Sequence, residues 1–334
     1  MAGAVRTVPQ AGRWREDLPL SAWRWPLLPA WAAFAAGSQL RRWAWDRTLT
    51  PRRAAVPVIS VGNLVAGGAG KTPTAIALAN RLHFKGRRAT ILSRGYRSGA
   101  DGRNEEAALS GELPTVCDPD RVHGAARAIA AGADVLILDD GFQHRRLYRD
   151  VDIVVVDCTR PWGAPAGDGW MLPLGYRREA MAALARAHAV VLTRADLADP
   201  DAEMAIRARL APFGLPIARE RIAEWRWHPE GAPTGPVLLV SGIGNPDGFT
   251  RAALAAGTAA VEHWTFPDHH HYTAADAARI AARATALGAT VVTTSKDGVK
   301  LAPLLPVSVL SPVTAWGQTE WAPIDSLIDR ALGG

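Results

Sequence analysis

An α/β fold with a mostly parallel sheet, in two domains, is what the sequence predicts, and three observations predict it. Short apolar runs rich in β-branched residues recur along the chain, as in "VPVISVG" (56–62), "DVLILDD" (134–140), "VDIVVVD" (151–157) and "AVVLT" (189–193). Segments with helical spacing alternate with them, the pattern of strands buried on both faces. The chain has 334 residues, which exceeds one ordinary core and suits two domains. We expect an α/β/α domain over 51–218, a smaller α/β/α domain over 219–334 entered through a hinge linker near 219–236, and an N-terminal interfacial helix within 1–50.

The N-terminal segment stands apart by charge. Residues 1–53 hold nine Arg against three acidic residues, which accounts for the whole net charge of +6. Six of the 13 Trp lie there as well: Trp14, Trp23, Trp25, Trp31, Trp43 and Trp45. The apolar run from Trp25 to Ala36 is shorter than the ~20 residues that span a bilayer. It lacks a clear cleavage site and has Arg on both flanks, so it is not read as a signal peptide. Trp and Arg around a short apolar stretch suit a helix lying in an anionic membrane interface. Packing on the protein's own surface is the alternative. No aromatic-basic sheet or helix-turn-helix pattern follows, so nucleic acid is not an expected partner. The two cysteines, Cys117 and Cys158, make a poor disulfide framework and read as small core residues in a reducing compartment.

From Pro51 the α/β texture begins. After the strand at 56–62 comes "GNLVAGGAG", then a helical spacing over 71–84 with Pro73 in its first turn. "RATILS" (88–93) is a second strand, and a helix covers about 121–131. The polar, Trp-containing stretch "RERIAEWRWHPEGAPTGP" (219–236) interrupts the pattern and marks the domain boundary. Beyond it, "VLLVSG" (237–242), "AAVEHW" (259–264) and "TVVTTSKD" (290–297) alternate with helices near 247–256 and 273–287.

The glycine-rich loop, Val65-Ala66-Gly67-Gly68-Ala69-Gly70-Lys71-Thr72, has the parts of a phosphate site. Glycines let backbone N–H groups converge on an anion, the following helix presents its N-terminus, Lys71 brings charge and Thr72 a metal-facing hydroxyl. Val65 stands where the common G-x-x-x-x-G-K-[ST] pattern has its first glycine. Ala66 replaces the second Lys of partition-type ATPases. "TRAD" (193–196) has Arg194 where a guanine-reading N/TKxD has Lys. A nucleotide-switch module of the G-protein-like class is the alternative to an enzyme. Asp139 and Asp140 end the strand at 134–140, where a phosphate loop's Mg²⁺-binding carboxylate belongs. They face opposite sides if the strand runs through both.

These motifs, with "ILSRGY" (91–96), "DPDR" (118–121), "LDDGFQHRRLYRDVDIVVVD" (138–157), "LPLGYRRE" (172–179), "FPDHHHYT" (266–273) and "TTSKDGVKL" (293–301), stand in an order that resembles the tetraacyldisaccharide 4′-kinases of lipid A biosynthesis, from about residue 20 to 325. The resemblance implies phosphoryl transfer from ATP, with Mg²⁺, to the 4′-hydroxyl of an acylated glucosamine disaccharide 1-phosphate, at the cytoplasmic face of the inner membrane. It implies Lys71 on the β- and γ-phosphates, with Thr72, Asp139, Asp140 and Glu179 at the metal. It further implies Asp120 as general base paired with His269, and Tyr96, His144 and Arg178 at the substrate. By itself "DPD" reads as a turn or a second Mg²⁺ site, and Asp118 receives no role. "DHHHY" (268–272) suits a solvated loop with one working His better than a metal centre, because three consecutive His cannot all reach one ion. Lys296 in "SKDGVK" could hold phosphate or sit in a helix-capping turn.

Overall fold

The computed structural model describes residues 5–10, 22–95, 113–163 and 170–333. It divides the chain into two compact units, Asp17–Glu220 with Trp316–Gly334, and Met1–Glu16 with Arg221–Ala315. The elements run in chain order as β1 (Arg6–Pro9), α1 (Leu28–Arg47), β2 (Val58–Gly62), α2 (Lys71–Phe84), β3 (Ala89–Ser93), β4 (Thr115–Cys117), α3 (Arg121–Ala130), β5 (Val135–Asp139), β6 (Val151–Asp157), β7 (Ala189–Thr193), α4 (Pro200–Leu210) and β8 (Ile217–His228). They continue as β9 (Pro236–Ser241), α5 (Pro246–Ala255), β10 (Ala259–Thr265), α6 (Ala274–Leu287), β11 (Thr290–Thr294), α7 (Ser295–Leu301), β12 (Ser308–Trp316) and α8 (Gln318–Ala331).

In the larger unit the strands lie in the order β8-β7-β6-β2-β5-β3-β4, with every pair parallel. Strands β2, β3, β5, β6 and β7 are buried along their whole length, which explains their continuous apolar runs. One face of the sheet packs on Leu78 and Leu82 of α2 and on Trp321, Ile324 and Ile328 of α8. On the other, Leu64, Phe142, Leu184, Ile206 and Leu210 gather around Val154, Val156, Val190 and Leu192, and Ala125 and Ala128 of α3 meet Leu136 and Leu138. This two-sided burial puts the C-terminal ends of β2, β5 and β7 at one edge of the sheet, where the loops can act.

The smaller unit has its own parallel order, β1-β10-β9-β11-β12, and the Arg221–His228 part of β8 lies beside β12. Its core joins Leu238, Val240, Trp264, Phe266, Ile280 and Leu301 on one face, and Val237, Leu239, Phe249 and Leu310 on the other.

The structure revises the segmentation at three places. Residues 219–236 are not a continuous linker: most of them form β8, a 12-residue strand whose ladder with β7 runs from Val190↔Ile217 to Leu192↔Arg219. Its alternating exposure hid it among Arg, Glu and Trp. The start of the chain is also divided, since β1 pairs with β10 in the smaller unit. At the other end α8 leaves the 219–334 segment for the core of the larger unit, with Trp316 stacked on Trp321 at 3.6 Å.

Within the N-terminal segment a 3-10 turn, Ala22–Leu27, absorbs Pro26, and α1 begins with Pro29 in its first turn. Helix α1 has no buried residue, and Phe34, Leu40 and Trp43 are exposed. No helix among the described residues is long and apolar enough to cross a membrane. Ties to the loop after β5 hold the helix on the larger unit: Arg145 Nη2 donates to Asp46 Oδ1 at 2.6 Å, and Arg41 Nη2 to the Gln143 carbonyl at 3.0 Å. Cys158 is buried, and burial pushes its thiol up to about 12, which keeps it inert. Cys117 is only half-buried, on the edge strand β4, with its Sγ 3.3 Å from Ser93 Oγ.

Candidate active site

The site grows from the turn between β2 and α2. Gly70 precedes the helix at φ 88° and Gly67 takes φ 107°, both in the region that favours glycine. A Cβ on Gly70 would also press on Thr193, 3.2 Å away. Val65, which breaks the common motif, has an ordinary job: it bridges to Arg177, and Ala66 N donates to the Tyr176 carbonyl at 2.7 Å. The 176–178 segment thus straps the loop from outside, and a glycine at position 65 is not needed. Ala69 is buried, and its carbonyl accepts from Thr193 Oγ1 at 2.9 Å. Gly62 closes the base of the turn, because a Cβ there would meet the Phe142 Cβ at 2.5 Å.

Lys71 and Thr72 open α2 and point to the two carboxylates expected of them. Thr72 Oγ1 donates to Asp139 Oδ2 at 2.6 Å. Lys71 Nζ lies 3.3 Å from the Gly67 carbonyl and 3.7 Å from Asp140 Oδ1. Asp139 is the last residue of β5, and Asp140 turns out of the strand at φ 55°. The strand therefore does not run through both, and the opposite-face arrangement is replaced by a sharp turn. The turn delivers Asp140 to Arg178, whose Nη1 reaches Oδ1 at 2.9 Å and Oδ2 at 2.8 Å. Burial alone would raise the Asp140 carboxyl, but the Lys71 and Arg178 charges override it and hold the group below the usual carboxylate range.

Glu179 forms an ion pair with Arg186 at 2.7 Å, and Arg186 stacks over the Phe142 ring at 3.8 Å. Among the described residues no group of three or more His, Cys, Asp and Glu is arranged to hold a metal. The structure thus joins Thr72 with Asp139 and Lys71 with Asp140, and commits Glu179 to Arg186. A hydroxyl and a carboxylate in contact below a phosphate loop offer hard oxygen ligands, the donor type that Mg²⁺ takes.

Asp120 caps α3. Its Oδ1 accepts from Val122 N at 2.9 Å and His123 N at 3.4 Å, while Arg146 Nη1 stands 3.6 Å from Oδ2. Those backbone N–H groups, chiefly, hold its carboxyl below the ordinary range. Asp118, without a role from sequence, sets this turn: its Oδ1 accepts from Asp120 N at 2.9 Å and its Oδ2 meets His123 Nδ1 at 2.7 Å. Sequence reasoning also missed Arg121, which is buried and reaches the Asp118 carbonyl at 2.9 Å and the Asp139 carbonyl at 3.2 Å. Its signal was an Arg at the first position of the helix expected over about 121–131, directly after the "DPD" turn. His144 lies in the turn after Gly141, and burial, with Arg121, Arg149 and Arg146 around it, pushes its pKa down to about 4. Tyr96 lies outside the described residues.

His269 belongs to the smaller unit. It occupies a turn at φ 60°. Its Nε2 is 3.3 Å from Lys296 Nζ, which also donates to Asp268 Oδ1 at 2.9 Å. His270 instead stacks on Phe266 with ring centroids 4.7 Å apart. Thr294 caps α7 by accepting from Asp297 N at 3.2 Å, so "SKDGVK" does form a capped helix start.

A parallel sheet with a phosphate loop after β2, an acidic turn after β5 and a Lys-Thr pair between them defines a P-loop phosphoryl-transfer protein. The sequence profile of the tetraacyldisaccharide-1-P 4′-kinase family matches residues 23–327. The chain is 42% identical over 313 residues to a tetraacyldisaccharide 4′-kinase of Anaeromyxobacter dehalogenans, covering 84% of this chain and 82% of that one. It is 41% identical over 340 residues to that of Phenylobacterium zucineum, with 96% of each covered. The crystal structure of LpxK from Aquifex aeolicus in complex with ATP superposes with a TM-score of 0.67 at 27% identity, over 93% of this chain and 99% of that one. The chain belongs to the tetraacyldisaccharide 4′-kinase family.

Proposed function

We propose that this protein transfers the γ-phosphate of ATP to the 4′-hydroxyl of an acylated glucosamine disaccharide 1-phosphate, the step that family membership indicates. The observation that carries the reading is the Thr72–Asp139 contact at 2.6 Å beneath the Gly67–Gly70 loop. Lys71 neutralises the β- and γ-phosphates from the side facing Asp140. Mg²⁺, held by Thr72 and Asp139, would supply charge neutralisation on the phosphate oxygens. Arg178 fixes Asp140, so the acidic turn keeps its shape as charge moves along the phosphates.

A sugar hydroxyl needs its proton accepted as the new P–O bond forms. Asp120 takes that proton in our reading. An aspartate carboxylate is ionised at neutral pH, and Oδ2 is the oxygen that does not accept from the helix-cap N–H groups. His269 supports the base, an assignment that rests on the likeness of "FPDH" to the family's motif. The exposed Trp and Arg of the N-terminal segment suit an anionic membrane face, where the acylated substrate resides.

The test is ³²P transfer from ATP to the acylated disaccharide in detergent micelles. Asp120→Asn and His269→Ala should each lower kcat by ~10²-fold or more, with ATP binding retained. If both variants stayed within a few-fold of wild type, the base assignment would fail. If wild type transferred no phosphate to the lipid, the function itself would fail.

A further inference from the structure

In the smaller unit the chain steps from β9 to β10 on one side and then crosses to β11 on the other. A parallel sheet opens a crevice at such a switch, beyond the C-terminal strand ends. Three segments converge there. A Cβ on Gly242, after β9, would stand 3.1 Å from the Pro267 carbonyl oxygen, 3.2 Å from the His270 Cβ and 3.2 Å from Asp297 Oδ1. Gly242 N donates to Oδ2 of the buried Asp297 at 2.9 Å, and the Gly242 carbonyl accepts from His269 N at 3.0 Å. Thr294 Oγ1 donates to the same Asp297 oxygen at 3.0 Å. His269 is thereby kept at φ 60°, a conformation that a residue with a Cβ holds only where its surroundings impose it. Lys296, beside Asp297 in α7, reaches the ring: its Nζ lies 3.3 Å from His269 Nε2 and 2.9 Å from Asp268 Oδ1.

We propose that Lys296 is a positioning residue that sets the tautomer of His269 for phosphoryl transfer. The proposal rests on His269 supporting the base, as read above. An ammonium group carries three donors and no acceptor, so Nε2 accepts from it. The ring is then neutral with its proton on Nδ1. Support of a carboxylate by this imidazole therefore comes through Nδ1–H, and the opposite tautomer would set a lone pair against that carboxylate. Lys296 acts on a second group to the same end. Asp268 Oδ1 stands 4.0 Å from His269 Nε2. Without the ammonium that carboxylate would draw the ring proton to Nε2. Lys296 engages both the carboxylate and the nitrogen, and so holds the proton at the other edge of the ring.

Lys296→Met keeps the stem of the side chain and removes the donor. In the ³²P-transfer assay it should lower kcat by about 10-fold or more, with the KM for ATP within about twofold of wild type. ATP affinity, read by displacement of a fluorescent ATP analogue, should not change. Lys296→Arg keeps a donor and should recover kcat to within about threefold of wild type. In a His269→Ala background Lys296→Met should cost no more than about twofold, because the group it acts through is gone. The ¹⁵N signals of the His269 ring, identified by their loss in His269→Ala, should be pyrrole-type at Nδ1 in wild type and shift towards Nε2–H in Lys296→Met. An active wild type whose kcat survives Lys296→Met overturns the proposal. So does an equal loss in the His269→Ala background, or a wild-type ring protonated on Nε2. A wild type that transfers no phosphate to the lipid sinks the functional reading, and the role of Lys296 with it.

Discussion

At the scale of single residues, charge partners decide what each carboxylate and imidazole can do. His144 is neutral in the folded state because its pKa falls from 6.5 to about 4. Between those values the unfolded chain binds a proton that the folded chain refuses. The contribution is therefore complete above pH 6.5 and is lost as pH falls towards 4. Its size is about 1 kcal/mol once partial exposure is discounted, or roughly 2–4 °C for a domain of this size. His144→Asn should lose less melting temperature than wild type between pH 7.5 and 5, and an identical drop would refute the assignment. Lys71, Thr72 and Asp139 were legible in the sequence because motif and strand end fix their places. The separate fates of Asp140 and Glu179 were not. A positive φ at Asp140 and the choice of Arg178 or Arg186 as partner follow from packing of the 172–186 segment, and no spacing rule encodes that.

At the scale of elements, buried strands declared themselves and amphipathic or short ones did not. Strands β2, β5, β6 and β7 are buried throughout and mostly apolar, so they could be read directly. Helix α6 was expected near 273–287, and its start is a capping box formed by Thr273 and Asp276. Strand β4 has only three residues, and β8 alternates Arg and Glu with Trp, so neither gives a run long enough to recognise. Helix α8 was missed because Pro323 sits inside it and its apolar residues, Trp321, Ile324 and Ile328, occupy a narrow stripe. Trp321 is fully buried against the sheet of the larger unit. Trp321→Ala should cost about 3–5 kcal/mol, read as a lower midpoint in urea unfolding. Arg81 of α2 and Lys85, the residue after its end, support the same docking: Arg81 Nε donates to Asp325 Oδ1 at 2.8 Å and Lys85 Nζ to Asp329 Oδ1 at 2.9 Å. These pairs are partly exposed, so Arg81→Ala should cost no more than about 1 kcal/mol in the same measurement. A loss equal to that of Trp321→Ala would reverse this ranking of burial over charge.

At the scale of the whole molecule, the two α/β textures were legible and the membership of the chain ends was not. Apolar periodicity says that β1 and α8 exist at most; it does not say which sheet each completes. A chain stopped after Ala315 should lose ATP binding in the displacement assay, because the larger unit would expose the face that Trp321, Ile324 and Ile328 cover. Retained binding by that truncated chain would show α8 to be dispensable. The placement of α8 also bears on how the protein is born. The phosphate loop leaves the ribosome early, but the helix that finishes its domain is made about 250 residues later. At ~5–20 residues per second that interval is roughly 13–50 s. Throughout it the nascent domain is incomplete and one greasy face of its sheet stays uncovered. Newly made chains should therefore depend on chaperones until α8 has been made, and the capacity to hold ATP arises only after that.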